Sequence, residues 1–242
     1  MQEIANKTIR EIALDAPLTT RVFEEFKIDF CCGGRVPFEQ ACEMAGVDPA
    51  IVQAKLETVL RNVDGVDYSE RKRPSELIEF IVDKHHEFTR DEIARLLPLM
   101  DKVVSRHGDG HTELHEIRKI FRELADEMLV HMRKEEMVLF PYIEKLEAAS
   151  AGQGAVPIAH FGTVNNPVRM MMFEHESAGE MLKNMRRLSS GYSAPEGACP
   201  SYKGLYAGLE DLEKDLHRHI HLENNILFPE AIEMEKTFFA QV

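Results

Sequence analysis

The stretch His131-Met132-Arg133-Lys134-Glu135, followed by Leu139-Phe140-Pro141, recurs 88 residues later as His219-Ile220-His221-Leu222-Glu223 and Leu227-Phe228-Pro229. Residues i and i+4 of an α-helix lie one above the other on the same face, so each copy aims an imidazole and a carboxylate at one point. The repeat also reaches upstream: His86-Glu87 lies 45 residues before His131, and His175-Glu176 lies 44 residues before His219. The unit is a helical hairpin written twice. Two such His-x-x-x-Glu helices can hold a pair of metal ions.

Working outward from these helices, apolar periodicity predicts four long helical segments, over about 75–104, 113–147, 167–188 and 202–235, with a bend expected at Pro98. The loops between them, 107–112, 149–166 and 189–200, are rich in Gly, Ser or Pro. Loops this short favour antiparallel neighbours, which makes a four-helix bundle the economical fold. The middle loop is the longest, carries His160 and leaves open a partner or homodimer contact. Upstream, residues 8–63 read as several short helices: Thr19 or Thr20 and the Asp48-Pro49 pair supply starts, and the run from Val36 another. The polar, turn-prone stretch 62–74 reads as a linker. The expected chain is all-α, with a small helical domain at 1–65 and a bundle at 75–242.

A histidine and a glutamate aimed into an apolar bundle from one helix face are costly unless paired or coordinating. The four helices supply His86, His131, Glu135, His175, His219 and Glu223. Imidazole with carboxylate suits iron, manganese or zinc, and the lack of thiolates argues against a structural zinc or a cluster. With both glutamates bridging, each metal receives two histidine nitrogens and two carboxylate oxygens. That leaves room for a bridging oxide or hydroxide and an open position, a reactive di-iron arrangement. The Glu-x-x-His order of ferritin-like sites is reversed here, and the spacing is one residue longer.

Other residues read more plainly. His217 and His221 lie roughly 200° around the helix from His219 by the 3.6-residue period and are expected in solvent. His85 does not align with the repeat, and His107 and His111 fall in a turn. Glu127, four residues before His131, and Glu174, beside His175, are candidates to orient a ligand or line an access path. Met170, Met171 and Met172 read as core filler. Cys31-Cys32-Gly33-Gly34 is a second candidate site, because either thiolate can exchange, be nitrosated or hand over metal if its pKa is lowered, while the glycines permit unusual backbone angles and open the site to a partner; the alternative is a pair of buried or idle thiols. Cys42 and Cys199 read as idle thiols.

The balance of 29 basic against 42 acidic residues, a net charge of −13, argues against nucleic-acid or anionic-membrane binding. No stretch approaches the roughly 20 apolar residues that span a bilayer, and the first residues lack the pattern of a signal peptide, so a cytoplasmic protein is expected. Four cysteines are too few for a disulfide framework in a chain this long.

The run Ile28-Asp29-Phe30-Cys31-Cys32-Gly33-Gly34, followed by duplicated His-x-x-x-Glu-Glu or His-x-x-x-Glu-Asn-Asn and Leu-Phe-Pro, resembles the Repair of Iron Centers family of bacterial iron-sulfur cluster repair proteins. The resemblance covers nearly the whole chain. It implies a hemerythrin-like bundle behind an N-terminal Cys-Cys domain, a non-haem di-iron centre on the six residues named above, and restoration of clusters damaged by nitric oxide or oxidants. Its implied partners are damaged iron-sulfur proteins, with nitric oxide or oxygen as small ligands. Two other functions stay open: a nitric oxide reductase that couples two nitric oxide molecules, and a hemerythrin-like carrier or sensor. The 149–166 loop is longer than the family leads one to expect.

Overall fold

The computed structural model describes residues 4, 6–31, 33–61 and 73–239, and among these every regular element is helical. Cys32 and most of the expected linker lie outside the described residues. The N-terminal unit comprises α1 (Ile9–Asp15), a 3₁₀ turn (Pro17–Thr19), α2 (Thr20–Glu25), α3 (Phe38–Ala45) and α4 (Pro49–Arg61). Thr8 caps α1 in a reciprocal capping box with Glu11. At the end of α3, Gly46 takes φ 69°, which lets the next two N–H groups return to the last carbonyls. Ile9, Phe23, Phe30, Phe38, Val52 and Leu56 form this unit's own core.

The bundle begins with α5 (Pro74–Phe80), which runs through a π-helical turn (Ile81–His86) into α6 (Glu87–His107). The second rod is α7 (Glu113–Lys134), a π turn (Glu135–Leu139) and α8 (Phe140–Ser150). The third is α9 (Asn165–Leu188), and the fourth is α10 (Pro200–Leu222), a π turn (Glu223–Leu227) and α11 (Phe228–Phe239). The helix runs unbroken through Pro98, so the irregularity of the first rod falls at residues 81–86 instead.

In the second and fourth rods the wide turn is legible in the chemistry of Leu-Phe-Pro. Proline lacks an N–H and its ring collides with the carbonyl four residues back, so a regular turn cannot pass it without loss. Here the preceding Phe140 and Phe228 donate five residues back, to the carbonyls of Glu135 and Glu223. One extra residue per turn also brings consecutive side chains inward: His85 with His86, and Glu223 with Asn224 and Asn225, are all buried.

Two apolar clusters fill the bundle. One contains Leu96, Phe121, Leu124, Leu182 and Leu209; the other contains Ile81, Phe140, Ile143, Met171 and Phe228. On every rod the expected ligands fall between the residues of these two clusters, so the polar layer is sealed above and below. Of the methionine run only Met171 is core; Met170 is 54% exposed, which corrects its reading as filler.

The long loop ends at α9 on a buried carboxylate. Glu235 accepts hydrogen bonds from Tyr142 Oη (2.7 Å) and the Val164 N–H (2.8 Å). His160 stays exposed. Glu235→Ala leaves two buried donors without an acceptor and is expected to cost about 3 kcal/mol of unfolding free energy, read by urea titration. A loss below about 0.5 kcal/mol, the range of surface substitutions, would show that the carboxylate does not anchor the loop.

The N-terminal unit docks on the outer face of α10. Arg218 grips Glu24 through two contacts of 2.6 Å, Arg10 Nη2 donates to the Asn225 carbonyl (3.0 Å), and Asn225 Nδ2 donates to the Phe30 carbonyl (3.3 Å). The Phe30 ring meets His217 and His221 edge-on. His221 is therefore buried and His217 half-buried, which corrects the expectation that both are solvated. Burial drives both imidazoles down to about 4, against the pull of Asp29 on His217 and of the Phe30 carbonyl on His221.

Candidate metal centre

The structure brings all six expected residues into one buried layer. His86, Glu135, His219 and Glu223 form one group and His131, Glu135, His175 and Glu223 a second; within each group the potential ligand atoms lie within 4.8 Å of one another. The two glutamates belong to both groups. Glu135 turns Oε2 toward His86 Nε2 (3.5 Å) and Oε1 toward His131 Nε2 (3.3 Å). Glu223 turns Oε1 toward His219 Nε2 (2.9 Å) and Oε2 toward His175 Nε2 (3.1 Å).

An outer set of residues turns the rings. His86 Nδ1 meets Glu136 Oε1 at 2.6 Å, and Glu136 is held in turn by Arg90. His131 Nδ1 meets Glu174 Oε2 at 2.8 Å, and Glu174 is held by Lys134. His175 Nδ1 meets Asn224 Oδ1 at 2.9 Å. An N–H donated outward fixes the tautomer that leaves the Nε2 lone pair facing inward. The phenylalanines of Leu-Phe-Pro complete the packing, Phe140 stacked on His86 and Phe228 on His175.

The electrostatics follow from burial and pairing. Burial alone would depress His131, yet the Glu135 carboxylate and the bond to Glu174 raise it to about 10. Glu174, hydrogen-bonded to His131 and then to Lys134, is held down to about 2 despite partial burial. Glu135 and Glu223 are pushed up by burial, and Glu135 further by its like-charged neighbour, but the surrounding imidazoles win and both lie below the usual carboxylate range.

These residues fit a bound cation. Both Glu135 oxygens and Glu223 Oε2 are buried without a hydrogen-bond donor among the described residues, a costly arrangement for anionic groups. His131 and His175 present Nε2 to Nε2 at 2.9 Å while both Nδ1 atoms are engaged outward. With both rings neutral two lone pairs would face at that distance, and a positive ion that both ligate takes the place of the extra proton that His131 otherwise holds there.

Sequence reasoning placed Glu174 as a candidate orienter, and it does hold a ring, though that of His131 rather than its neighbour His175. Glu127 instead accepts from Ser177 at the surface. Glu136, Asn224 and the two phenylalanines were not singled out. Their signal was present, because Glu136 and Asn224 occupy the same position of the repeat, directly after the shared glutamate, and the phenylalanines recur in both copies.

Of the second candidate site, Cys32 lies outside the described residues. Cys31 is buried, with its N–H (2.9 Å) and Sγ (3.3 Å) on Asp29 Oδ1. It lines a cleft of about 490 Å³ between the two units, together with Lys27, Arg186, Glu213 and His217. Gly34 does not take a left-handed backbone angle. Gly34 serves close packing instead: an added Cβ would meet the Phe30 carbonyl oxygen at 2.6 Å. Cys42 is buried and its thiol is pushed up to about 11, chiefly by burial, whereas Cys199 sits 3.3 Å from His107 Nε2.

Both parts of the chain match known protein families. Residues 77–231 match the Hemerythrin HHE cation binding domain, and residues 5–60 match a domain of unknown function, DUF542. The chain is 30% identical over 230 residues to the iron-sulfur cluster repair protein YtfE of Yersinia pseudotuberculosis serotype O:1b (strain IP 31758), covering 95% of this chain and 98% of that protein. It is 33% identical over 228 residues to the protein of the same name from Edwardsiella ictaluri (strain 93-146), covering 94% and 97%. No helix among the described residues is long and apolar enough to cross a membrane.

Proposed function

Since this chain belongs to the iron-sulfur cluster repair proteins that carry a hemerythrin HHE cation binding domain, we propose that it restores iron-sulfur clusters damaged by nitric oxide or oxidants in the cytoplasm, through two irons held by His86, His131, Glu135, His175, His219 and Glu223. The observation that carries this reading is the buried layer in which two four-residue groups share both glutamates. Glu135 and Glu223, common to both groups, would help to hold both ions, with His86 and His219 at one and His131 and His175 at the other. When bound, the iron pair supplies iron for delivery and open positions for nitric oxide. The chain's own residues hold the donors ready: Glu136, Glu174 and Asn224 fix the ring tautomers, and the apolar clusters above and below exclude bulk water.

The clients are damaged iron-sulfur proteins, and the cysteine-bearing unit is the part that meets them. Its docking on Asn225, within the π turn that also carries Glu223 and Asn224, supports a task linked to the metal layer. Simple gas carriage gives that unit nothing to do. Anaerobic Mössbauer spectra before and after nitric oxide test the metal identity and its reactivity together. A protein without iron, or with spectra unmoved by nitric oxide and no ability to reactivate a damaged iron-sulfur enzyme, would overturn the reading.

Division of labour between the two sites gives a separate prediction. Cys31→Ala combined with Cys32→Ala is expected to keep the di-iron spectrum, because no thiol falls in either group of ligands among the described residues. The same variant is expected to reactivate a nitric-oxide-damaged iron-sulfur enzyme severalfold more slowly, since handover through a thiolate is lost. Unchanged reactivation would remove the cysteines from the mechanism.

A further inference from the structure

The internal repeat allows each residue around the centre to be compared with its counterpart in the other half. His131, Glu135, Glu136 and Phe140 correspond to His219, Glu223, Asn224 and Phe228, and His86 corresponds to His175. The contacts obey the same relation. Glu136 holds His86 and Asn224 holds His175, while Phe140 stacks on His86 and Phe228 on His175. By this symmetry the partner of His219 Nδ1 should come from the counterpart of Glu174, the residue that holds His131. That counterpart is His85.

His85 does not fill the role. Its Nδ1 is turned to Asp215 Oδ1 at 3.0 Å, and its ring lies parallel to His219 with centroids 5.9 Å apart, a stacked arrangement that presents a face rather than an acceptor. Lys134, which steadies Glu174, is replaced by Leu222. His219 Nδ1 is fully buried and has no hydrogen-bond partner among the described residues. We infer that the two metal positions are unequal: the ion on His86 and His219 is held more weakly and leaves first, and His85 in place of a carboxylate is the cause. This rests on the reading of a two-metal centre.

The physical reason is tautomer control. His131, His86 and His175 each donate their outward N–H to an oxygen, which pins the Nε2 lone pair inward and makes it a better donor. Nothing pins His219. Its alternative tautomer carries the proton on Nε2, where Glu223 Oε1 accepts it at 2.9 Å. To ligate, the ring must move that proton to Nδ1, where no acceptor waits in a buried setting. Loss of an outer partner typically lowers metal affinity about 10- to 100-fold. The weaker position is thus the one from which iron is delivered.

The test uses the full-length, iron-loaded protein, anaerobically, with a ferrous-iron chelator in excess. Iron release is expected in two equal phases whose rates differ by about 10-fold or more. Anomalous scattering at the iron edge, measured on half-depleted crystals, is expected to find the remaining ion between His131 and His175. Glu174→Ala removes the corresponding support from His131 and is expected to bring the slow phase close to the fast one. A single phase in the unaltered protein, or a remaining ion at His86 and His219, would overturn the inference even if the variant does not fold. Two equivalent irons overturn this inference alone, whereas a chain that takes up no iron overturns the proposed function as well.

Discussion

Glu135→Ala and Glu223→Ala are each expected to lose at least one of the two irons, read as metal per chain after purification. Each side chain offers one oxygen to either group, so truncation removes a donor from both positions at once. It also removes one of the two buried negative charges that offset the ions, and no neighbouring carboxylate can replace it: Glu136 and Glu174 are committed outward to His86 with Arg90 and to His131 with Lys134. By contrast, His217→Ala and His221→Ala are expected to keep both irons, although each loosens the docking of the N-terminal unit through Phe30. Full iron in both glutamate variants would sink the assignment of the ligands.

Removal of the metal is expected to lower the melting temperature by about 10 °C. A ligand that binds only the folded chain stabilises it by RT ln(1 + [L]/Kd), about 4 kcal/mol at a free concentration 1,000-fold above Kd. For a chain of this size each kcal/mol moves the melting point by about 2–4 °C. The direction is fixed by the site: without an ion, Glu135 and Glu223, both 0% exposed, repel one another and rely on the imidazoles alone. Calorimetry of chelated and reloaded protein checks this. An unchanged melting point with the metal shown to be gone would mean that the buried carboxylates are satisfied in another way.

The metal layer was open to sequence reading because its logic is local. The four-residue spacing from His131 to Glu135 and from His219 to Glu223 is enforced by the helix itself, and the duplication shows that both helices serve one end. The same holds for the helical hairpins, whose apolar periodicity and short loops are read along the chain. The periodicity that put His217 and His221 on the face opposite His219 was sound as well. What it lacked was any means of telling that Phe30, nearly 190 residues away in the chain, covers that face.

The sequence by itself therefore determined the helices, their pairing and the spacing of the six residues that meet in the buried layer, since each depends on the pattern along one chain segment. Only the tertiary structure decided what stands behind each donor: that Glu174 turns the ring of His131, that Asn225 carries the N-terminal unit, and that His85 stacks on His219 and leaves its Nδ1 unmet. A helix fixes the direction in which a side chain leaves its own axis. Which group it meets depends on how far and at what rotation a second helix packs against the first, and many residues together set that.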